Sequence, residues 1–384
     1  MTSAYSNFLK LTDRLGTTEL LNWRPFSIGV ILGRRKPFWN LSHLSGKRIF
    51  DLLNFITTPY LPVSIKPASY LAIKRAIKDA PGEPSDTELI GDWTKQRFLP
   101  TPGTTVAHYF KDVGWSRTLV ARFGNPVVRS ICNLTSEQAA AAPWLTALKR
   151  MFQDTPRLAG WIRGEVKNLV SEPALRILRQ EGVEVRLNSP VKRIGKIETL
   201  WQVSTMSTDD YYDVLIITTP PVNLGFLAGV AELQELHHTA KTIQARKIIT
   251  VRAVFRDMEA LPGPLGELDQ DQSVWFVETE DRGTVVVERI YSALEESVRL
   301  KNQELKQKFI DDIRRIFGGI EIVSDIFICP YARATPSILP GTPCPLLQQA
   351  ENVFYAGDWT ATGLPPTLES AARAGSLAGK AAIR

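Results

Sequence analysis

The chain has 384 residues, a formal net charge of +6 and a hydrophobic share of 44%. This length and composition suffice for a large core and for more than one domain, and they exclude an intrinsically disordered chain. The three cysteines, Cys132, Cys329 and Cys344, form no Cys-x-x-Cys pair, which excludes a zinc ribbon and argues against a disulfide framework.

The charge is unevenly distributed along the chain. Residues 1–84 hold 12 Lys/Arg and 5 Asp/Glu, a balance of +7, whereas the remainder has a balance of −1. The basic segment is also aromatic, with Phe38, Trp39, Phe50 and Phe55. Basic and aromatic residues together are typical of a membrane surface or a nucleic-acid surface, and a solvated basic face over an ordinary core is the alternative.

The chain start and the hydropathy pattern bear on location. The first residues lack the basic start and apolar run of a signal peptide, and no stretch approaches ~18 uncharged apolar residues. Together with the cysteine usage, this predicts a cytoplasmic protein, or one bound peripherally to the inner face of the membrane.

Helical and strand patterns alternate along the chain. Periodic apolar positions bounded by Gly and Pro predict helices at 3–15, 46–57, 67–79, 86–97, 104–112, 115–132, 171–181, 294–317 and 366–383. Runs rich in β-branched residues predict strands at 183–187, 200–206, 211–218, 247–255, 273–279, 284–290, 322–328 and 352–356. No fixed-period repeat is present, and the interleaving predicts an α/β fold of mixed layers.

The segment from Asn352 to Gly379 is the most informative part of the sequence. A buried strand ends in Gly357-Asp358, and a tight loop leads to a helix that begins after Pro366. Gly357 lets a ligand approach the backbone, and Asp358 can accept hydrogen bonds from ligand hydroxyls. The N–H groups of residues 367–370 form a positive pole that can stabilise negative charge on a reduced flavin. A strand–loop–helix with a capping aspartate also occurs in α/β proteins that bind no cofactor.

The spacing of small residues in this last helix is also notable. Ala371, Gly375 and Gly379 recur every four residues. They therefore lie on one nearly flat face, which can pack tightly against a neighbouring layer or a cofactor.

This segment resembles the C-terminal flavin-binding signature of the FAD-dependent amine oxidoreductase superfamily, with its Ala-Gly-Asp strand end and Glu-x-Ala-x-x-x-Gly helix. Its Gly-Asp-Trp-Thr-x-Thr-Gly-x-Pro-x-Thr-x-Glu form looks most like the hydroxysqualene dehydroxylases, which are close to the phytoene-type carotenoid desaturases. Weaker matches follow in order at 5–16, 184–194, 213–221 and 333–337.

The resemblance implies FAD as cofactor and assigns roles to residues of this chain. Asp358 would bind the ribityl or phosphate part of FAD, residues 367–370 would face the isoalloxazine and pyrophosphate, and the Val191 backbone would meet the adenine. The implied cofactor-binding residues are Val191, Gly357, Asp358, Thr367, Leu368, Glu369 and Ser370.

One part of the family pattern is missing. A complete member opens with a strand, a Gly-rich turn and a helix that hold the FAD pyrophosphate. No two glycines of this chain lie two positions apart, so it contains no Gly-x-Gly-x-x-Gly. We therefore expect that one βαβ unit of ~30 residues or more is absent, through a mis-called start, a gene fragment or a second polypeptide that supplies it, and that the 384 residues bind FAD weakly or not at all.

The predicted fold class is α/β: an incomplete, glutathione-reductase-type Rossmann-like FAD domain with an inserted α+β substrate domain. The expected parts are a mostly helical, substrate- and membrane-facing region (1–165), FAD-domain strands and helix (166–225), a substrate-domain sheet and helix (226–330), and the C-terminal FAD-binding strand and helix (331–384).

The resemblance implies an oxidoreductase that acts on a long isoprenoid and converts hydroxysqualene to squalene. The alternatives are a carotenoid-type desaturase and a non-catalytic remnant or partner subunit. The expected partners are a hydrophobic substrate, a membrane surface through residues 34–78 and a polypeptide that supplies the missing unit, but no nucleic acid. The four histidines show no metal-ligand spacing, so no metal is expected, and the catalytic residues stay unassigned because flavin chemistry needs few protein acids.

Overall fold

The structure is a computed structural model that describes residues 2–31, 38–40, 61–153, 158–256, 258–267, 274–279, 284–295, 298–318 and 321–383. The predicted helix at 46–57, together with Phe50 and Phe55, lies outside these residues.

Helices are present along the whole described chain. The α-helices are α1 (Ser6–Arg14), α2 (Lys66–Asp79), α3 (Asp86–Ile90), α4 (Val106–Asp112), α5 (Arg117–Leu119), α6 (Asn125–Cys132), α7 (Ala141–Gln153), α8 (Val166–Leu169), α9 (Ser171–Gln180), α10 (Gln234–Thr242), α11 (Asn302–Phe317) and α12 (Leu368–Ala382). A π-turn at Val120–Gly124 joins α5 to α6, and short 3-10 helices lie at Thr18–Leu20, Val63–Ile65, Pro221–Leu227 and Ala231–Leu233.

The strands are mostly short, apart from three long ones in the second half of the chain. They are β1 (Leu21–Pro25), β2 (Ser27–Ile31), β3 (Phe38–Asn40), β4 (Phe98–Pro100), β5 (Leu158–Ile162), β6 (Arg193–Ile197), β7 (Leu200–Ser204), β8 (Asp209–Tyr212), β9 (Leu215–Ile217), β10 (Ala245–Arg256), β11 (Leu265–Glu267), β12 (Val274–Thr279), β13 (Thr284–Glu295), β14 (Glu321–Ile322), β15 (Phe327–Pro336), β16 (Pro343–Pro345), β17 (Gln348–Ala350) and β18 (Val353–Tyr355).

The largest sheet in the described part of the chain has eight strands. Its order is β14-β10-β13-β12-β11-β2-β3, and β15 also pairs with β10; all pairs are antiparallel except β11 with β2. Alternate residues of β10, such as Val251 and Phe255, are buried against α11 through Phe309. This period-2 burial leaves the opposite face of the sheet available for a cavity.

A small sheet of order β17-β18-β9 holds the C-terminal signature. Its β18 runs parallel to β9, with Val353 opposite Leu215, and α12 packs against both strands. The chain leaves this sheet after Ile217, adds strands β10 to β15 to the large sheet, and returns to the small sheet at Gln348 with β17. This topology is the expected one, a Rossmann-like layer interrupted by an inserted α+β unit.

Helices α2, α4, α6 and α7 form a separate helical layer around an aromatic cluster. Phe110 stacks on Trp115 at 4.4 Å between ring centroids and meets Trp144 edge-on at 5.3 Å. A Cβ at Gly124 would lie 2.7 Å from the Phe110 ring, so close packing requires glycine at the π-turn.

The predicted strand at 211–218 is divided between β8 and β9, which belong to different sheets, and four further sequence predictions differ from the structure. The segment 183–187 is irregular rather than a strand, and Val183 and Leu187 are exposed, because no described strand pairs with it. Helix α3 ends at Ile90 instead of continuing to 97, since Gly91 has a positive φ of 75°. Third, β13 extends to Glu295 instead of ending at 290, so α11 begins at Asn302 instead of at 294. Fourth, β15 begins at Phe327, whereas the sequence predicts a strand at 322–328.

Candidate active site

A cavity of about 1180 Å³ lies between the large sheet, the helical layer and the start of α12. Its floor includes Val286 and Ile290 of β13, and α7 supplies Ala147 and Met151. Leu364 lines the end nearest α12. The cavity exceeds the ~300–1,000 Å³ typical of small-molecule sites. Charged side chains such as Arg24, Arg163 and Arg252 also line it, but more of its lining surface is apolar than polar, so it suits a large ligand that is mainly apolar.

The N-terminus of α12 opens towards this cavity. The Thr367 hydroxyl caps the helix by accepting a hydrogen bond from the Ser370 N–H at 3.4 Å. The N–H groups of Leu368 and Glu369 belong to the first turn and therefore lack an intrahelical acceptor. Together they form a positive pole that can bind an anionic or electron-rich group.

The end of β18 lies beside this pole. The Ser370 hydroxyl is within 3.5 Å of the Asp358 carbonyl oxygen and 2.7 Å from the Thr362 hydroxyl. Burial raises the pKa of the Asp358 carboxyl, against the lowering effect of the backbone N–H groups of Asp358 and Trp359. Asp358 is partly exposed, but ionising its carboxyl is still unfavourable in the chain alone, and a hydroxyl donor would lower that free-energy cost.

Gly357 has open space over its backbone. A Cβ there would have the Tyr355 hydroxyl as its nearest neighbour, at 3.7 Å, which is ordinary van der Waals contact. Its φ is not positive, so neither packing nor backbone conformation among the described residues demands glycine. The open space permits a ligand to approach the strand end.

Glu369 makes its described contacts with protein groups. Its carboxylate is 1% exposed and accepts hydrogen bonds from the N–H groups of Asn7 and Phe8, at 2.9 Å each, so it caps helix α1. It also pairs with the Arg150 guanidinium at 2.6 Å. A role of Glu369 towards a cofactor stays a prediction.

A chain of ion pairs continues from Glu369 to the buried Arg373 of α12. Arg150 binds Glu83 through Nε and Nη2, and Glu83 binds Arg373 of α12 at 2.9 Å. These hydrogen bonds raise the pKa of Arg150 against the effect of its burial. The chain of ion pairs fixes α1, α7 and α12 relative to one another around the cavity.

The sequence offered no sign of Arg150, Glu83 or Tyr5 as site residues. Tyr5 lines the cavity and hydrogen-bonds Thr367, and burial raises the pKa of its phenol. Its position before α1 is compatible with any surface helix start. Only the fold brings it to α12.

Val191 lies in the irregular segment before β6 and packs against the core shared by β18 and α12. The structure thus brings Gly357, Asp358 and the start of α12 together. It holds Val191 against the same core, but not among the residues that line the cavity.

These residues fit the flavin and ribityl parts of FAD. The pole of α12 suits the electron-rich edge of a flavin ring, and Asp358 beside the open Gly357 suits a ribityl hydroxyl. The 384 residues contain no Gly-rich turn for the pyrophosphate. Among the described residues no group of three or more His, Cys, Asp and Glu could hold a metal ion.

The sequence resembles a known protein family and individual curated proteins. The sequence pattern of the flavin-containing amine oxidoreductase family matches residues 1–383. A hydroxysqualene dehydroxylase of Zymomonas mobilis is 26% identical over 271 residues, which are 67% of this chain and 62% of that protein. Another hydroxysqualene dehydroxylase, from Sinorhizobium fredii, is 26% identical over 58% of this chain and 52% of that protein. The chain therefore spans less than two thirds of the curated relatives it matches.

Solved structures share the fold at low sequence identity. Cyclohexylamine oxidase from Brevibacterium oxydans superposes with a TM-score of 0.64 at 13% identity, over 99% of this chain and 86% of that one. Putrescine oxidase bound to putrescine gives 0.65 at 12% identity, over 100% and 87%. Both likenesses establish the fold alone.

Proposed function

The chain belongs to the family of flavin-containing amine oxidoreductases, and from that premise we propose that it acts as an FAD-dependent oxidoreductase on a long, apolar isoprenoid. The observation that carries the proposal is the large, mainly apolar cavity that ends at the positive pole of α12. A site of this kind holds an extended apolar chain and presents one point of it to a flavin ring.

The residues of this chain have distinct roles in the proposal. Leu368 and Glu369 would direct their N–H groups at the flavin ring, and Asp358 would orient the ribityl chain. The cavity walls would exclude water and hold the isoprenoid. Bound FAD supplies the hydride transfer itself, so the protein contributes binding, orientation and electrostatics.

The finer proposal is a hydroxysqualene dehydroxylase-like reaction. It is supported by the two relatives of that name at 26% identity. Hydroxysqualene, a proton and reduced FAD would give squalene, water and oxidised FAD, with the hydride replacing the lost hydroxyl. A carotenoid-type desaturation, in which the hydride moves from substrate to oxidised FAD, is the alternative.

We further propose that the pyrophosphate-binding unit comes from residues outside these 384, in the same polypeptide or in a partner. The supporting surface combines the exposed Gly375 of α12 with the exposed Ile216 of β9, Val183 and Leu187. In the described residues, a Cβ at Gly375 or Gly379 meets nothing within 4 Å. A small-residue helix face beside an exposed strand fits the packing of a further βαβ unit.

Membrane contact through residues 34–78 is also part of the proposal. In the described part of this segment, Val63 and Leu71 are 73% and 65% exposed, and Lys74 and Lys78 lie on the same open side of α2. Exposed apolar and cationic side chains together fit an anionic bilayer surface. None of the helices in the described ranges combines the length and apolar character that crossing a bilayer requires.

Product analysis tests the reaction. The chain, supplied with the Gly-rich unit of a hydroxysqualene dehydroxylase, is offered hydroxysqualene or phytoene, each in one reaction with FAD and a chemical reductant and in another with oxidised FAD alone. Squalene formed from hydroxysqualene, with phytoene unchanged, is the expected result. Desaturated products from phytoene with oxidised FAD would favour the alternative, and no product from either substrate would argue for the non-catalytic reading.

A further inference from the structure

A second pocket of about 610 Å³ lies on the other side of the start of β10, and it shares no lining residue with the larger cavity. Its polar lining is mostly basic. His237 and Lys241 come from one face of α10, Arg246 from β10 and Arg333 from β15, and Glu295 of β13 is the acidic member. None of these residues has a role in the proposed redox reaction.

Arg246 is the unusual feature of this pocket. It is 5% exposed, and its Nε has no hydrogen-bond partner among the described residues. Its Nη1 lies 3.8 Å from a carboxylate oxygen of Glu295, and the Glu295 side chain is 67% exposed. Because the Glu295 carboxylate is distant and solvated, it offsets little of the free-energy cost of burying the Arg246 guanidinium.

The neighbouring Lys247 provides an internal comparison. It is also buried, but its ammonium donates to the Val298 carbonyl oxygen at 3.0 Å. The β10–β15 register shifts between Arg246 and Ile248. Such a bulge re-aims side chains and is frequent beside functional sites.

The other cations increase the positive potential around Arg246. Burial, Lys241 and His238 together lower the pKa of His237, which therefore stays a neutral donor and acceptor at pH 7. Lys241, Arg246 and Arg333 outnumber Glu295 in the lining, so the pocket has more basic than acidic side chains. A multiply charged oxyanion would neutralise this excess and satisfy the guanidinium better than a monocarboxylate.

We propose that the pocket between α10, β10 and β15 binds a phosphoryl group of a small molecule, with Arg246 and Lys241 as its principal ligands. This site is independent of the proposed flavin chemistry, because its residues lie outside the cavity and outside the Gly357–Ser370 segment. Its occupant stabilises the junction between the two sheets, since α10 follows β9 of the small sheet in the chain and β10 belongs to the large sheet.

Calorimetric titration of the purified chain with pyrophosphate and inorganic phosphate, at constant ionic strength, tests the proposal. We expect saturable binding that is about tenfold weaker in Lys241→Ala and Arg246→Gln, and much weaker binding of acetate. The matched control is Lys306→Ala, an exposed lysine of α11 outside the pocket, which should bind as the parent does.

Several outcomes would overturn the proposal. These are the absence of saturable binding, equal affinity in all variants, or acetate binding as tightly as phosphate. Because Arg246→Gln could fail to fold, circular dichroism accompanies each titration. Lys241 is exposed, so Lys241→Ala should fold, and its titration tests the proposal even if Arg246→Gln does not fold.

Discussion

At the residue scale, Glu369 connects three parts of the molecule through one carboxylate. It caps α1, lies at the start of α12 and pairs with Arg150 at 2.6 Å. Breaking a buried pair by removing one partner typically costs ~3–5 kcal/mol, because the remaining charge stays buried. Arg150 is partly exposed and keeps Glu83 as a partner, so the lower part of that range applies.

We therefore expect Glu369→Gln to lower the free energy of unfolding by about 3 kcal/mol in a urea titration. The matched control is Glu351→Gln, which removes an exposed pair with Lys196 at 3.2 Å and should cost about 0–1 kcal/mol. If both variants lost the same small amount, the buried ion-pair chain would not stabilise the fold as described.

Replacing Asp358 should have opposite effects on the stability of the fold and on FAD binding. Burial raises the pKa of its carboxyl in the folded chain. A raised folded pKa means that the contribution of this group to stability is largest below the unfolded value of ~3.9, and is lost as pH rises through the folded value. At pH 7 the ionised carboxylate therefore destabilises the chain without cofactor.

Asp358→Asn should accordingly raise the urea midpoint at pH 7, and the gap from the parent should narrow as pH falls towards ~4. The same variant, supplied with the Gly-rich unit, should retain FAD less well, by about 1–3 kcal/mol for the lost hydrogen bond. A destabilised Asp358→Asn that still retains FAD fully would assign this residue to folding and remove it from the cofactor site.

At the element scale, α12 has a glycine where helix propensity would favour another residue. Gly375 is exposed, and a Cβ there meets nothing within 4 Å of the described residues. Gly375→Ala should therefore stabilise the 384-residue chain by about 0.8–1 kcal/mol in thermal or urea unfolding. If a further unit packs on this face, the same substitution should weaken its association.

Gly124→Ala is the contrasting variant. Its Cβ would lie 2.7 Å from Phe110, so overpacking should cost about 1–3 kcal/mol. A gain in stability from Gly124→Ala, or a loss from Gly375→Ala, would contradict the packing described for these two helices.

The exposed side of α2 is the described part of the proposed membrane surface. Cations near an anionic bilayer are attracted by ~1 kcal/mol each, so replacing Lys74, Arg75 and Lys78 by alanine should reduce co-sedimentation with anionic vesicles strongly. Binding should fall with added salt and be weak on neutral vesicles. A control that replaces Lys301 and Lys306, exposed residues at α11, should bind like the parent; equal loss in both variants would exclude α2 as the contact.

The elements also show what the sequence could and could not predict. Helices α2, α4 and α12 and strand β10 lie close to their predicted positions, because each has a strong local apolar period. The segment 183–187 has a strand-like composition but no described pairing partner. Strand formation depends on that partner, which a local pattern does not contain.

The same distinction holds for the site. Gly357, Asp358 and the start of α12 lie within one continuous segment, so the sequence brings them together by itself. Arg150 lies 219 residues from Glu369 and 67 from Glu83. Long-range ion pairs of this kind leave no spacing signal, and only the tertiary fold reveals them.

At the scale of the whole molecule, the small sheet and the large sheet have different proposed functions. The small sheet and α12 present the groups that suit FAD, while the large sheet and the helical layer enclose the cavity. The claim that joins them is that an apolar substrate in the cavity exchanges a hydride with a flavin at the α12 pole. If the claim holds, blocking the cavity should prevent turnover but should not reduce the amount of FAD that the protein retains.

The most direct test is anaerobic reoxidation of protein-bound reduced FAD on addition of hydroxysqualene, followed by flavin absorbance. The comparison is between the parent chain and Ala147→Trp, which fills the cavity from α7, each supplied with the Gly-rich unit. The account predicts equal flavin content in both, with reoxidation in the parent and little or none in the variant. Equal reoxidation in both proteins would contradict the account, as would the absence of reoxidation in a parent protein that is fully loaded with FAD.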